Sequence, residues 1–388
     1  MTLRQHSLCH VGPCRYPVGV IRTFQYPLRP TKRQAAVLEC WLERCRQLYN
    51  AALEQRIDAW RKQRKSISWV EQFRELAALR AEDIDYRTVP SDVARSALRR
   101  LDRAFKAFFR RVKAGGEAPG FPRFKGRDRY SSFDIGRGTV RDDRVRVPLL
   151  GCVRFRKYRP LGGEIREAQI IRTVRGWKVS FACDIGEAPP KVAARNAVGI
   201  DLGVTSLAVL STGEVIDNPR CLARGAAVLT EHQQALARKK RGSRARKKAK
   251  RLVARAHERI RDRRLDFARK TAKDLVSRFD VIVHEDLNIR GLASGRLAKS
   301  VNDAAWGLLL RCIELKAEEA GVHVIGVDPR GTSQECSQCG AIVRKELSER
   351  EHRCGACGTV LGRDHNAALN VLARGRRASP ILGLVGLA

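Results

Sequence analysis

Apolar residues in the first third of the chain recur at the spacing of amphipathic helices. Residues 1–30 contain one or two strand-like segments, and Pro27 is expected to punctuate them. Thr31 and Gln34 then fit a capping box, after which apolar positions recur every three or four residues to about residue 65. A second helix is predicted from Pro90 onwards, with an apolar stripe on one face and arginine and lysine on the other.

The pattern changes near residue 130 to short segments in which apolar and polar positions alternate. Turn residues such as Gly162-Gly163 separate these segments, which is typical of antiparallel strands. We therefore expect a small β-barrel or sandwich over residues 130–190, with residues 1–30 supplying its first strands. The helical stretch would then be an insertion into that domain.

The second half of the chain alternates apolar strands with helices. Strands are predicted at 197–203, 206–210, 215–216, 279–286 and 322–328, and helices at about 221–278, 302–320 and 366–373. Such alternation is typical of a sheet with helices packed on it. Residues 377–388 look like a loose tail.

The net charge of the chain favours proteins that bind polyanions. The 388 residues include 77 lysines and arginines against 41 acids, a formal net charge of +36, which predicts attraction to polyanions. Ten of the fourteen residues from Arg238 to Arg251 are cationic. Such a run of charge is ordinarily explained by a solvated surface helix. Here few acids offset the repulsion among the cations, so the phosphate backbone of a nucleic acid is the more natural counter-charge. Without an apolar run of membrane-spanning or signal-peptide length, the expected setting is cytoplasmic.

The twelve cysteines include one clear metal-binding pattern. Cys336-x-x-Cys339 and Cys354-x-x-Cys357 form two pairs separated by 14 residues, and a glycine follows the second cysteine of each pair. Four thiolates at this spacing match the tetrahedral preference of Zn²⁺. Because all four positions are protein ligands, the expected site is structural and binds one zinc ion.

The remaining cysteines carry weaker signals. His6, Cys9, His10 and Cys14 lie close together, but their spacing fits no strong metal template, and chance is the favoured explanation. Six further cysteines fall in apolar patterns and are expected to be core residues: Cys40, Cys45, Cys152, Cys183, Cys221 and Cys312.

Three acids at strand or helix ends are candidates for metal-dependent chemistry. Asp201 interrupts an apolar strand, Glu285 ends a second one, and Asp364 precedes the last helix. If they converge, they suit two Mg²⁺ ions about 3.5–4 Å apart that act on a phosphodiester. Each acid alone also has a structural explanation, as a turn residue, a solvated strand end and a helix N-cap respectively. Asp286 is interpreted as structural, whereas Asp303 is expected either to assist the metals or to start a helix.

An ordered set of short motifs resembles the TnpB family of transposon-encoded proteins and the related compact type V CRISPR effector nucleases. The motifs are Pro30-Thr31-Lys32-Arg33-Gln34, Leu48-Tyr49-Asn50, Ala104-Phe105-Lys106-Ala107-Phe108-Phe109, Pro122-Arg123-Phe124-Lys125, Gly199-Ile200-Asp201-Leu202-Gly203, Glu285-Asp286-Leu287, Thr332-Ser333-Gln334-x-Cys336 and Arg363-Asp364-His365-Asn366-Ala367-Ala368. Each alone is weak, but as a set they are specific and run through most of the chain.

The resemblance implies a multidomain α+β fold with a RuvC-like nuclease domain of RNase H fold and an inserted zinc ribbon. On it, Asp201, Glu285 and Asp364 match the family's three catalytic acids and would hold two Mg²⁺ ions. The implied domains are the strands 1–30 and 130–190 of a wedge-like β-barrel, a helical recognition-type insertion 31–129, the RuvC-like segments 191–332 and 361–376, the ribbon 333–360 and the tail 377–388.

The resemblance also implies the partners: a guide RNA from the host element and double-stranded target DNA with a short adjacent motif, in a prokaryotic cytoplasm near the nucleoid, with no membrane. The cations expected to contact nucleic acid are Arg123, Lys125, Arg238, Lys239, Lys240, Arg241, Arg244, Arg246, Lys247 and Lys248. Phe121, Phe124 and Tyr130 are expected either to stack on bases or to pack at a domain junction.

The function implied by the resemblance is an RNA-guided DNA endonuclease. A nucleic-acid-binding regulator of transposition that does not cut is a second hypothesis, which the intact acid set disfavours. A transposase that joins strands itself is a third, but no tyrosine lies in a motif that identifies it as a nucleophile.

Overall fold

The computed structural model describes residues 19–115, 119–295, 298–346 and 349–378. It has a mixed α+β fold in two compact units, divided after Glu187. The expectations for His6, Cys9, His10 and Cys14 lie outside the described residues, as does most of the tail. Within the described residues, no helix combines the length and apolarity needed to cross a membrane.

The first unit contains four helices among its described residues. They are α1 (Lys32–Gln63), α2 (Trp69–Glu82), α3 (Ile84–Arg87) and α4 (Ser91–Lys113). The predicted capping box is confirmed, since the Gln34 amide donates to Thr31 Oγ1 at 3.2 Å and the Thr31 amide donates to Gln34 Oε1 at 3.0 Å. One apolar face of α1, from Leu38 to Leu53, is buried in the core that this unit shares with its sheet.

The sheet of the first unit has seven strands. They are β1 (Ile21–Arg29), β2 (Ser132–Asp134), β3 (Thr139–Arg141), β4 (Arg144–Val147), β5 (Gly151–Phe155), β6 (Glu164–Thr173) and β7 (Gly176–Asp184). Their order is β2-β6-β7-β1-β5-β4-β3, and neighbours are antiparallel. The N-terminal strand thus lies in the middle of a sheet whose other strands all follow the helices in sequence. Closure into a barrel stays a prediction.

The expected interruption at Pro27 is wrong, because β1 continues to Arg29. Proline lacks an N–H donor and is usually excluded from the middle of a sheet. The Pro27 carbonyl accepts from the Arg156 amide, just past the end of β5, so the backbone of Pro27 faces the β5 side. Pairing with β5 begins only at Leu28, so the ladder does not need an N–H group from Pro27 on that side. The ladder with β7 on the other side is continuous through Pro27.

The second unit is built on a five-stranded sheet. Its strands are β8 (Ala197–Leu202), β9 (Ser206–Leu210), β10 (Val215–Asp217), β11 (Val281–Glu285) and β12 (His323–Val327). The order is β10-β9-β8-β11-β12: the first three strands form an antiparallel meander, and β11 and β12 run parallel to β8.

The remaining elements of this unit are helices and one small hairpin. They are α5 (Cys221–Ala237), α6 (Arg244–Arg278), α7 (Ile289–Leu292), α8 (Ala298–Ala304), α9 (Trp306–Ala320), β13 (Glu351–Arg353), β14 (Val360–Gly362) and α10 (Arg363–Ala378).

Three details of the sequence prediction are corrected. The helical region predicted over 221–278 breaks at residues 238–243, where Gly242 has φ +84° and the Ser243 side chain caps α6. The helix predicted at 302–320 is interrupted at Ala305, which adopts a left-handed conformation with φ +56°. Finally, Cys40 and Cys152 are exposed and are not core residues, whereas the other four cysteines of that group are buried as expected.

Candidate functional site

Two of the candidate acids lie at the same edge of the five-stranded sheet. β8 and β11 are parallel neighbours, and Ile200 pairs with His284. Asp201 and Glu285 each follow one residue later, so the register places them side by side. Glu285 is buried with 6% of its surface exposed, and Asp201 is half-buried. The parallel pairing therefore brings together two acids that are 84 residues apart in sequence.

The third acid is brought to this edge by α10, which packs closely on the sheet. A Cβ atom on Gly199 would lie 2.2 Å from the Ala368 carbonyl oxygen, so only glycine permits this approach. Likewise, a Cβ atom on Gly375 would lie 2.6 Å from a Val283 methyl group. Asp364 lies in the first turn of α10, one turn before Ala368.

The negative charges of Glu285 and Asp364 both act on Asp201. The pKa of Asp201 is raised to about 8, first by burial and then by the negative charges of Glu285 and Asp364, with Arg363 opposing the change. Burial also raises the pKa of Glu285, against the Thr332 hydrogen bond and the charge of Arg374. Arg363 offsets part of the negative charge, since its Nε lies 3.5 Å from Oδ1 of Asp364.

The acid cluster is looser than a site for one ion. Among the described residues, the four cysteines are the one group of three or more potential ligands whose donor atoms all lie within 4.8 Å of one another. The carboxylate oxygens of the three acids are therefore more widely spread. A pair of ions about 3.5–4 Å apart is compatible with a wider spread, because different ligands can then contact different ions.

The four cysteines are held by two matching turns. The Gly340 amide donates to the Cys336 carbonyl and the Gly358 amide to the Cys354 carbonyl, both at 2.9 Å. The two glycines have φ +77° and +74°, in the left-handed region where glycine is favoured. The two Cys-x-x-Cys-Gly segments therefore fold in the same way and place their thiols on a common centre.

The sulfur spacing matches a tetrahedral zinc site. Sγ of Cys336 lies 3.7 Å from Sγ of Cys357, and Sγ of Cys339 lies 3.6 Å from Sγ of Cys354. Zinc–sulfur bonds of about 2.3 Å would place the sulfur atoms of a tetrahedron about 3.8 Å apart. In addition, hydrogen bonds from Thr359 lower the pKa of Cys357 to about 6. The pKa of Cys339 is raised to about 12, so the sulfur spacing and not the pKa values supports the zinc site.

Several residues that support the acids were not identified from the sequence. The Thr332 hydroxyl donates to Glu285 Oε1 at 2.6 Å, and Asn366, Asn370 and Arg374 on α10 bind the segment before Cys336. Thr332 and Asn366 lie inside motifs that carry the family resemblance, and these motifs could have pointed to both residues. The contacts that the two side chains make could be seen only in the tertiary structure.

The neighbouring acids have other roles. Asp303 lies inside α8, where its carboxylate accepts from the Leu222 and Ala223 amides at 2.7 and 3.2 Å and from Arg264 at 2.9 Å. Asp303 therefore caps the start of α5, and these hydrogen bonds give it a structural role. Asp286 is exposed, next to the buried Glu285.

Three family models match the chain. One, OrfB_IS605, described as a probable transposase, matches residues 180–296. A Cas12f1-like TNB domain matches residues 306–371, and a helix-turn-helix domain matches residues 20–65, where the structure has β1 and one long helix, α1.

Similarity to curated proteins extends over almost the whole chain. A putative RNA-guided DNA endonuclease of Streptomyces pristinaespiralis is 37% identical over 374 residues, which are 93% of this chain and 90% of that protein. The chain belongs to the TnpB (OrfB_IS605) family. The putative RNA-guided DNA endonuclease InsQ of Escherichia coli is 28% identical over 92% of both chains. The endodeoxyribonuclease Cas12f1 of Sulfoacidibacillus thermotolerans is 30% identical, but over 55% of this chain.

The fold of this chain is similar to that of a solved structure. The protein chain of a Cas12f1–sgRNA–target DNA complex superposes with a TM-score of 0.57 at 14% identity, covering 88% of this chain and 83% of that one. At that identity the similarity concerns the fold alone.

The cations of this TnpB-family chain mostly lie on the surface. Seven of the eight predicted contact residues in 238–248 are exposed, at the turn between α5 and α6 and the first turns of α6. The exception is Arg246, whose guanidinium donates to the carbonyls of Leu236 and Lys239 at 3.0 and 2.8 Å and so caps the end of α5. The guanidinium of Arg246 therefore uses part of its hydrogen-bonding capacity within the fold.

The segment with Arg123 and Lys125 is fixed by the first helix. The Asn50 side chain accepts from the Lys125 amide at 2.8 Å and donates to its carbonyl at 3.1 Å, and the Lys125 ammonium lies 5.6 Å from the Tyr49 ring centre. Arg123 is exposed. Phe121 and Phe124 are 46% and 53% exposed, whereas Tyr130 is buried and packs within its unit.

Proposed function

We propose that the chain is an RNA-guided DNA endonuclease that hydrolyses phosphodiester bonds at Asp201, Glu285 and Asp364. The observation that carries this proposal is the placement of Asp201 and Glu285 side by side on β8 and β11, with Asp364 in the first turn of α10 near enough to act on Asp201. Burial first, and then the charges of Glu285 and Asp364, raise the pKa of Asp201 to about 8. The two relatives that are similar along nearly the whole chain are named as putative RNA-guided DNA endonucleases, which supports RNA-guided cleavage of DNA by this chain. Such a cluster has no evident use in a protein that only binds nucleic acid.

The residues present fit a divalent metal site. The pKa values of the buried Glu285 and the half-buried Asp201 are both raised, first by burial, and a cation between the carboxylates would favour their ionised forms. Oxygen ligands suit Mg²⁺. Two bound Mg²⁺ ions would activate water and stabilise the charge that develops on the leaving oxygen. The order β10-β9-β8-β11-β12, with the acids on β8, β11 and α10, supports assignment of residues 191–332 and 361–376 to a RuvC-like nuclease domain.

We propose that the exposed cations bind phosphate backbones. Arg238, Lys239, Lys240 and Arg241 at the α5–α6 turn, together with Arg244, Lys247 and Lys248 on α6, form a dense positive surface in the second unit. Arg123 and Lys125 are candidates in the first unit. Guide RNA and double-stranded target DNA with a short adjacent motif are the proposed partners. The hybrid of guide RNA and target DNA would be recognised by its charge and backbone shape, whereas recognition of the adjacent motif needs contacts to base edges.

We further propose that residues 333–360 form a ribbon around one structural Zn²⁺ ion. The purified protein should contain about one zinc ion per chain. Cys339→Ser should lose most of this zinc, because all four ligands of a closed structural site come from these cysteines. Metal analysis of the two proteins checks this. Cys152→Ser, which removes an exposed cysteine outside the cluster, is the matched control. Full zinc content in Cys339→Ser would contradict the assignment.

Cleavage by the ribonucleoprotein tests the proposed function directly. The protein is expressed with its flanking DNA, the RNA that co-purifies is sequenced, and plasmids with a matching or scrambled target are incubated with the complex and Mg²⁺. We expect Mg²⁺-dependent cleavage of the matching plasmid only. A complex that retains its RNA and zinc but cuts neither plasmid, whatever sequence adjoins the target, would support a non-cleaving regulator.

A further inference from the structure

The segment that leads into the cysteine cluster also contacts the acid cluster. Residues 329–335, here called the ribbon root, connect β12 to Cys336. Thr332 lies in the middle of the ribbon root and is 4% exposed. Its hydroxyl lies 2.6 Å from Glu285 Oε1 and 3.0 Å from the Pro329 carbonyl oxygen. A hydroxyl has one proton to donate, and an ionised carboxylate is the stronger acceptor, so Glu285 is the preferred partner.

The ribbon root is held in place by the helix that carries Asp364. Asn370 donates to the carbonyls of Thr332 and Glu335 at 2.8 and 2.6 Å, and Asn366 donates to the Glu335 carbonyl at 2.8 Å. Arg374 forms an ion pair with the Glu335 carboxylate at 2.9 Å. The backbone of Thr332 is thus fixed to α10, and its side chain reaches across to β11.

The ribbon root is tied to the first cysteine turn as well. The Asn366 side-chain oxygen accepts from the Ser337 amide at 2.9 Å, within the turn between Cys336 and Cys339. The same side chain therefore contacts both the ribbon root and the first cysteine turn. Glu285 is thus hydrogen-bonded directly to the ribbon root. The helix α10, which carries Asp364, is hydrogen-bonded both to the ribbon root and to the first cysteine turn.

We propose that Thr332 is a positioning residue that holds Oε1 of Glu285, so that Oε2 is the oxygen left free to bind a divalent ion. The proposal rests on the proposed nuclease function and deepens it. A carboxylate can rotate about its last side-chain bond, and a buried hydrogen bond to either of its two equivalent oxygens fixes the plane of the group and so the direction of the other oxygen. Residues that orient a metal ligand in this way commonly change metal affinity by about 10–100-fold when they are replaced.

A purely structural role predicts a different result. If the Thr332 hydroxyl served only to satisfy the Pro329 carbonyl, its loss would lower stability without changing the response to Mg²⁺. The measurement that separates the two roles is therefore the Mg²⁺ dependence, read by cleavage and also by a property that does not require cleavage.

The test compares Thr332→Val, Thr332→Ser and Ser333→Ala as RNA-bound complexes. Valine keeps the shape of threonine without the hydroxyl, serine keeps the hydroxyl, and Ser333→Ala removes a hydroxyl from the next residue as a matched control. We expect Thr332→Val to need about tenfold more Mg²⁺ for half-maximal cleavage and for half of the Mg²⁺-induced rise in Tm. Thr332→Ser and Ser333→Ala should behave like the wild type, and all variants should keep their RNA and zinc.

Two results would overturn the proposal. Unchanged Mg²⁺ dependence of Thr332→Val in both measurements would remove the positioning role, and an equal defect in Thr332→Ser would assign the effect to packing of the methyl group. If Thr332→Val does not fold, Thr332→Ala removes the hydroxyl without placing a new atom beside Glu285. A wild-type complex that does not cut would refute the proposed function, whereas the Tm measurement decides the role of Thr332 separately.

Discussion

Replacing Asp201 by asparagine should reduce DNA cleavage by at least about a thousandfold, while binding of the guide RNA stays within a small factor of the wild type. Asparagine keeps the size of the side chain but cannot supply the negative charge that the ionised carboxylate would offer to bound Mg²⁺ beside Glu285 and Asp364. A loss of about 4 kcal/mol of transition-state stabilisation corresponds to a thousandfold in rate. Single-turnover cleavage of a matched plasmid measures the loss, and the amount of co-purified RNA measures binding.

Asp286→Asn is the matched control for this experiment. It removes an equal charge from an exposed carboxylate directly after Glu285, outside the buried cluster. We expect cleavage close to that of the wild type. Similar rates for Asp201→Asn and the wild type would refute the catalytic assignment, and similar losses in both variants would point to a general effect of charge.

The same substitution should stabilise the metal-free protein, and by more at high pH than at low pH. The pKa of Asp201 is raised to about 8 in the folded protein from an ordinary value of 3.8. Between these values the folded state binds a proton that the unfolded state has released, so the stability from this group falls as pH rises from about 4 to about 8. The total is several kcal/mol, at about 1.4 kcal/mol per pH unit. Asparagine does not ionise and avoids this loss.

Thermal or urea unfolding between pH 5 and pH 8 tests this expectation. The buffers contain no Mg²⁺, and they contain no chelator, so that zinc bound to the cysteines is retained. The stability advantage of Asp201→Asn over the wild type should grow with pH and should shrink when Mg²⁺ is added, because Mg²⁺ stabilises the ionised cluster of the wild type. An advantage that does not change with pH would show that Asp201 is not held protonated, and Asp286→Asn should give no such trend.

The sequence patterns identified much of the local structure. The capping box at Thr31, the start of α4 after Pro90 and the five strands of the second unit follow from short-range signals that the structure confirms. Helix breaks were less visible. Gly242-Ser243 is a stop-and-start signal within a run of cations, and the break at Ala305 has no comparable signal. At Pro27 a break was predicted and the strand continues. Whether a proline ends a strand depends on whether its neighbour on that side needs an N–H donor.

The cysteine cluster was predictable because all its ligands come from two short turns. The geometry of each turn is set by the Cys-x-x-Cys-Gly spacing, and the two turns are only 14 residues apart. Asp303 shows the opposite case. Its partners, the amides of Leu222 and Ala223, are about 80 residues away, and no local pattern in the sequence indicates that it caps another helix.

The chemical groups of this protein could be identified without coordinates: four thiolates at zinc-binding spacing, three acids next to apolar strands or a helix, and a large excess of cations. Folding was needed to establish that Asp201 and Glu285 lie side by side, that Gly199 lets α10 bring Asp364 to them, and that Thr332 binds Glu285. The difference arises from distance along the chain. Local spacing fixes contacts within a turn, whereas contacts between residues 47 to 163 positions apart depend on strand pairing and helix packing across the whole unit.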